Sequence, residues 1–360
     1  NRTYDGTTTD TVTLGDNRVV GDLLTTSYSS ATFADKNVGV AKSVSVTGIG
    51  LAGTDSGNYT FNTSTTTTAN ITQRALTISA TGTNKIYDAL TADTVTLGDN
   101  RVAGDILTTS YGAANFTNKD VGTAKTVNVT GIGLTGTDSG NYTFNTTAST
   151  SADITQRSLT ISATGGNKTY DGLTTDTVTL GDNRVAGDVL TTSYTAANFA
   201  DKNVGTAKSV SVTGLGLAGT DSGNYTFNTT ASTSADITQR ALTIGATGTD
   251  KVYDGLTADT VTLGDNRVAG DVLTTSYTAA NFADKNVGTA KSVSVTGIGL
   301  AGTDSGNYSF NTTASTAADI TQRALTISAT GTNKVYDALT ADAVTLGDNR
   351  VAGDVLTTSY

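Results

Sequence analysis

The sequence contains no cysteine, proline, methionine, tryptophan or histidine, and its 32 acidic residues are all aspartate, so glutamate is missing as well. Without thiolate or imidazole ligands, nearly every zinc, copper or iron site is excluded. The same absences remove a cysteine nucleophile, a Ser-His-Asp triad and a histidine general base. Disulfide staples are excluded too, although that alone does not assign a compartment. No apolar run approaches the ~20 residues needed to span a bilayer, so no membrane insertion is expected. Against 22 basic residues the net charge is -10, the wrong sign for a surface that must replace the counterions of nucleic acid. Only 15% of residues are charged, against ~25% in ordinary soluble domains. A chain this rich in Thr, Asn, Gly and Asp reads as extracellular. It shows no signal peptide and no methionine, and is expected to be a segment of something longer.

What is present is repetition. Tyr-Asp recurs at Tyr4, Tyr87, Tyr170, Tyr253 and Tyr336, always 83 residues apart, and Gly-Asp-Asn-Arg follows the same spacing from Gly15 to Gly347. Asp-Ser-Gly-Asn-Tyr begins at Asp55, Asp138, Asp221 and Asp304 in the same register. A period of 83 is too long for a solenoid unit of ~20–50 residues and suits a small domain with its own core. Placing boundaries after Gln73 and its equivalents gives a partial copy at 1–73 without its first strand, complete copies at 74–156, 157–239 and 240–322, and the start of another at 323–360. With no linker between copies, the joints are expected to be short and stiff, and the whole rod-like, on the order of 150–200 Å long.

Within a copy the periodicity is that of strands. Leu159 and Ile161, Val178 and Leu180, and Val210 and Val212 alternate with Thr or Ser. After Gly214 the phase slips to Leu215 and Leu217, which predicts a bulge at that glycine. Gly181-Asp182-Asn183, Gly187-Asp188 and Asp221-Ser222-Gly223-Asn224 supply turn chemistry. Seven or eight short strands per copy indicate an antiparallel β-sandwich. With 16 Leu/Ile/Val/Phe in 83 residues, copy three sits at the edge of what supports a core. The chain is thus expected to be all-β, with contacts almost entirely inside each copy.

The openings of the Asn-Lys-Val-Tyr-Asp-Gly type, then Val-Thr-Leu-x-Asp-Asn-Arg-Val-Ala-Gly-Asp, Phe-Ala-Asp-Lys-Asn-Val-Gly and Gly-Asn-Tyr-Thr-Phe, resemble the YDG repeat. This is an Ig-like module of large bacterial surface and secreted proteins, including filamentous-haemagglutinin-type adhesins. The triplet stands at Tyr4-Asp5-Gly6, Tyr170-Asp171-Gly172 and Tyr253-Asp254-Gly255; Ala89 and Ala338 replace the glycine elsewhere, which suggests that a positive φ is not required there. Gln73, Gln156, Gln239 and Gln322 stand where related modules often carry proline, which loosens the expected joint. The resemblance implies a β-sandwich stalk at the bacterial cell surface and no catalytic residues.

Candidate sites divide between structural and binding readings. The pairs Tyr87-Asp88, Tyr170-Asp171 and Tyr253-Asp254 read as a structural motif, with Tyr packed at a sandwich corner and Asp closing an Asx-turn; sugar binding is the alternative. Calcium is the one metal the composition allows, with Asp182, Asp188, Asp221 and Asn224 as candidate oxygen ligands, although their spacing matches no EF-hand loop. The competing reading makes them turn residues and leaves the chain without a cofactor. Lys168 reads as a solvated lysine, with an isopeptide bond to Asn228 as the sharper alternative. Copy two has Asn118-Lys119-Asp120 where copy three has Asp201-Lys202-Asn203, a swap that predicts solvated surface. Asn141-Tyr142-Thr143 and Asn145-Thr146-Thr147 fit a weak glycosylation pattern. Aspartate pairs of the kind a glycosidase needs recur in every copy, so no enzyme is expected.

Function follows as a structural repeat or stalk segment that projects a binding tip. The alternatives are a self-assembling filament or matrix protein joined by strand complementation, and a multivalent, weak glycan-binding array. Expected partners are neighbouring modules of the same chain, like chains in a fibre, and surface glycans. The cut ends at Asn1 and Tyr360 expose unpaired strand edges, to be filled either by a neighbouring chain or by continuation of the same chain.

Overall fold

The structure, a computed structural model, describes all of residues 1–360. It contains no α-helix, only strands and one short 3₁₀ turn in each of four copies. Contacts divide the chain into two compact units, and the division passes through copy three: Asn1–Thr160, Asn183–Thr191 and Leu217–Phe227 form one, and Ile161–Asp182, Thr192–Gly216 and Asn228–Tyr360 the other.

Copy two lies wholly within the first unit and defines the module. Its strands are β1 (Arg74–Leu76), β2 (Ile78–Gly82), β3 (Lys85–Ile86), β4 (Val95–Asp99), β5 (Thr108–Ser110), β6 (Ala113–Phe116), β7 (Gly122–Thr130), β8 (Gly133–Thr135), β9 (Tyr142–Phe144) and β10 (Thr147–Thr155). A four-stranded sheet runs β6-β7-β10-β3, faced by the pairs β2/β4, β5/β8 and β1/β9. Alternation explains the layers: β7 turns Val127 and Val129 inward and Thr126, Asn128 and Thr130 to solvent. Phe116, Ile78, Leu76 and Ile154 close the core between the layers, each burial stabilising by ~1.5–3 kcal/mol. The tandem all-β, Ig-like architecture read from the sequence is the one observed.

Several local expectations are corrected. Pairing is not purely antiparallel, because β1 runs parallel to β9 and β3 parallel to β10. These opening strands therefore run the same way as the closing ones. Gly214 carries no bulge: the strand ends at Thr213, and the glycine turns the chain at φ 65°, which buries Leu215 and half-buries Leu217. The bulge lies at the other end of that strand, between Gly205 and Lys208, and in copy two between Gly122 and Lys125. There Ala124 takes φ 47°, and its amide donates to Asp153 Oδ1 at 2.7 Å. Ala89 is also left-handed at φ 65°, beside φ 79° for Gly172, so the turn does require a positive φ and the alanine is strained into it.

Candidate functional site at the junction of successive copies

The tyrosine of the Tyr-Asp motif follows β3, which lies along β10, and its amide donates to Thr155 O at 2.9 Å. Tyr87 therefore emerges beside the end of the last strand of its copy. Asp88 closes the expected Asx-turn: Oδ1 accepts from Leu90 N and from Lys85 Nζ, both at 2.9 Å. Tyr87 itself is fully buried, but not at a corner of its own sandwich. Its phenol donates to Asp188 Oδ1, 101 residues onward in the next copy, at 3.0 Å.

Copy three builds the receiving face from its turns. Asp188 follows Gly187 at φ 94°, and its second oxygen accepts from Tyr225 Oη at 2.6 Å. Tyr225 Oη in turn accepts from Val185 N at 2.9 Å, so this buried phenol is satisfied on both sides. The Tyr87 and Tyr225 rings meet edge to face, 5.5 Å apart at 74°. Lys119 extends from copy two into the same place, with Nζ 2.9 Å from Asp188 and 2.7 Å from Asp221. Asn224 completes the face by accepting from Val121 N at 2.9 Å and donating to Asp120 Oδ1 at 3.3 Å.

The same cluster recurs. Tyr4 and Lys36 meet Asp105, with Lys36 also on Asp138; Tyr170 and Lys202 meet Asp271, with Lys202 also on Asp304. Tyr253 and Lys285 meet Asp354. Contacts between copies are thus built in, contrary to the expectation of nearly self-contained modules. The glutamine at the boundary tightens the joint: Gln156 Nε2 donates to Gly223 O at 3.0 Å and to Tyr225 O at 3.2 Å.

Electrostatics make the cluster a lock. Burial alone would raise the Asp188 carboxyl, but hydrogen bonds from Tyr225, Lys119 and Tyr87 outweigh it and hold it below the ordinary carboxylate value. Burial and the adjacent Asp188 push the Tyr225 phenol up to about 12. Asp221, Tyr87 and Asp188 raise the Lys119 ammonium. A carboxylate with donors on both oxygens and an ammonium held by two carboxylates are arranged to bind one another.

The candidate calcium ligands are only partly brought together. Asp188, Asp221 and Asn224 converge, but on the ammonium of Lys119 and the backbone of Val121. Asp182 lies in the strand Val178–Asp182, opposite Ile161; its counterpart Asp99 accepts from Arg101 Nε at 2.7 Å. No group of three acidic side chains is close enough to hold a metal ion.

Other readings change as well. The Lys119 loop is not merely solvated surface, and the flanking swap has a physical reason. Asn118 Oδ1 and Asp201 Oδ1 both accept from the following backbone and from a lysine, and Asp120 and its counterpart Asn37 both offer an oxygen to the next copy's asparagine. Either residue type supplies what the position uses. Lys168 is tied down at 2.8–2.9 Å by Asp171, Leu173 O and Thr175 O, while Asn228 is engaged by Ile161 and Thr230. Asn141 is buried against copy one and Asn145 is bonded to Ile78, so both glycosylation triplets serve the fold. The parts that the sequence reading missed are Lys119, Tyr225 and Gln156, whose signal was the return of lysine at Lys36, Lys119, Lys202 and Lys285.

Each copy with this geometry is a YDG domain. The YDG domain family matches residues 1–68, 72–151, 155–234 and 238–317, and the chain belongs to it. No curated protein matches the chain. Among solved structures it is similar, distantly, to the N-terminal four Ig domains of Dscam1 isoform 6.9, at 7% identity over 78% of this chain and 80% of that one, with a TM-score of 0.20. A structure described as the basis for Dscam isoform specificity gives 6% identity, 79% and 81% coverage, and a TM-score of 0.18.

Proposed function

We propose that the chain is a non-catalytic spacer segment of a bacterial surface or secreted adhesin, working outside the cell to hold a binding tip at a distance. The observation that carries this reading is the recurring junction. A spacer needs each copy to fix the next, and the Tyr-Lys-Asp-Tyr cluster does so at every 83-residue step. The most strongly repeated motifs are spent on this contact, which leaves Tyr87 buried rather than offered to a sugar. The chain has no cysteine, so Thr126→Cys on the outward face of β7 gives a single reporter. In the source cell, a membrane-impermeant maleimide should label it without lysis. Labelling that requires lysis would overturn the extracellular assignment.

A further inference from the structure

In copy two, β1 and β2 fill a groove. Leu76 and Ile78 are buried there at 3% and 1% exposure, β1 pairs with β9, and β2 pairs with β4 with Ile78 opposite Asp99. Two asparagines hold the backbone of this segment: Asn100 Oδ1 accepts from Thr77 N, and Asn145 Oδ1 accepts from Ile78 N, both at 2.8 Å. The same filling recurs at Leu159 and Ile161 and at Leu242 and Ile244.

Copy one carries the groove without that filling. A cavity of about 470 Å³ is lined by Leu14, Leu24, Ile49, Leu51, Tyr59 and Phe61. Asn17 and Asn62, the counterparts of Asn100 and Asn145, also line it. Residues 12–16 and 59–61, which correspond to β4 and β9, form no strand, so their edges are unpaired. At the other end of the chain the matching filler is exposed: Leu325 at 43% and Ile327 at 54%, with Ile327–Gly331 paired only to Val344–Asp348.

We propose that the groove of copy one is a strand-acceptor site and that its occupant is Arg323–Gly331 of a second copy of this chain. Groove and filler fit because their counterparts already fit within copies two, three and four. In the joined form Arg323 lies opposite Tyr59, and Ile327 lies opposite Asp16, the register of Arg74 with Tyr142 and Ile78 with Asp99. The donated strand exchanges Val344–Asp348 for residues 12–16. It gains a second pairing along 59–61 and burial of both apolar side chains. Each chain carries one acceptor and one donor, so association is head to tail and open-ended. This inference is independent of the spacer reading.

The test is sedimentation velocity of the full chain over a wide concentration range. Chains of increasing length are expected. Leu325→Asp with Ile327→Asp changes only exposed side chains and should leave monomers, as should the acceptor variant Leu14→Asp. Mixing the two variants should give a one-to-one dimer that grows no further. A labelled peptide with the sequence Arg74–Gly82 should bind the wild-type chain and the donor variant, and bind the acceptor variant at least tenfold more weakly. A wild-type chain that stays monomeric, polymers that persist in the donor variant, or a peptide that binds all three equally would each overturn the proposal.

Discussion

Asp188 accepts a hydrogen bond at 3.0 Å from the phenol of Tyr87, a residue in the preceding copy and 101 positions earlier in the chain. Asp188 is itself almost without solvent, so this bond joins two copies through a buried charge. Nothing local to Tyr87 needs an aspartate there. The demand comes from the joint, where Lys119 and Tyr225 also need an acceptor. Folding one copy therefore supplies half of its neighbour's lock, which gives the nearest-neighbour coupling of a repeat array.

Replacing that acceptor tests the coupling. Asp188→Asn keeps the shape but removes the charge and leaves the lysine and phenols imperfectly paired. Breaking a buried ion pair from one side costs ~3–5 kcal/mol. Lys119 retains about a third of its surface in water, so the lower end of that range is expected. In Arg74–Gln322, the variant should split one thermal transition into two in calorimetry. A single, uniformly shifted transition would mean that the copies communicate by another route.

The pH dependence should have two limbs. Asp188 and Asp221 are held below the unfolded carboxylate value of ~3.9, so their contribution is present above it and is lost as pH falls through the lowered folded values. Tyr225 is raised to about 12 from ~10, so its contribution is complete below ~10 and is lost as pH rises towards 12. Stability should be flat between about pH 5 and pH 9. Tyr225→Phe should weaken the alkaline limb and leave the acid limb in place, as followed by tyrosinate absorbance alongside unfolding.

The register of 83, the β class and the alternating core at Val127 and Val129 could be read directly, because period-two burial leaves its mark in consecutive residues. The Asx-turn at Asp88 was legible for the same local reason. The junction was not, since Tyr87, Asp188 and Tyr225 are far apart in sequence and each also makes sense as a turn or core residue. The parallel pairing of β1 and β3 was hidden likewise, because alternation reports which face is buried but not which strand lies alongside. Asn118 and Asp201 misled by their difference in charge, when the fold uses only an oxygen.

Exchanging glycine and alanine after Tyr-Asp should move stability in opposite directions. Ala89 holds φ 65°, a region that costs an L-residue ~1–2 kcal/mol. Ala89→Gly relieves that cost but loosens the unfolded chain, for a net gain of up to ~1 kcal/mol. Gly172→Ala adds the strain, and its new Cβ would lie 2.8 Å from Val268 Cγ1 in the following copy. A loss of ~1–2 kcal/mol is expected. Denaturant midpoints of the two variants, at unchanged slope, measure both effects.

Calcium should not stabilise the wild-type chain through Asp188 and Asp221, because the Lys119 ammonium already occupies the space between them at 2.9 and 2.7 Å. Lys119→Met keeps an unbranched stem against Tyr87 but removes the positive charge. Both carboxylates lie within 3 Å of one nitrogen in the wild type, and at ~5 Å apart their uncompensated repulsion is ~3 kcal/mol at an effective dielectric of ~20. The variant should melt lower, recover partly with monovalent salt and recover further with calcium at equal ionic strength. Oxygen ligands without a resident cation are what a hard divalent ion needs. Thermal melts of both chains in calcium and in matched sodium chloride decide the matter. Calcium stabilisation of the wild type equal to that of Lys119→Met would place the ion elsewhere and remove the lysine from the explanation.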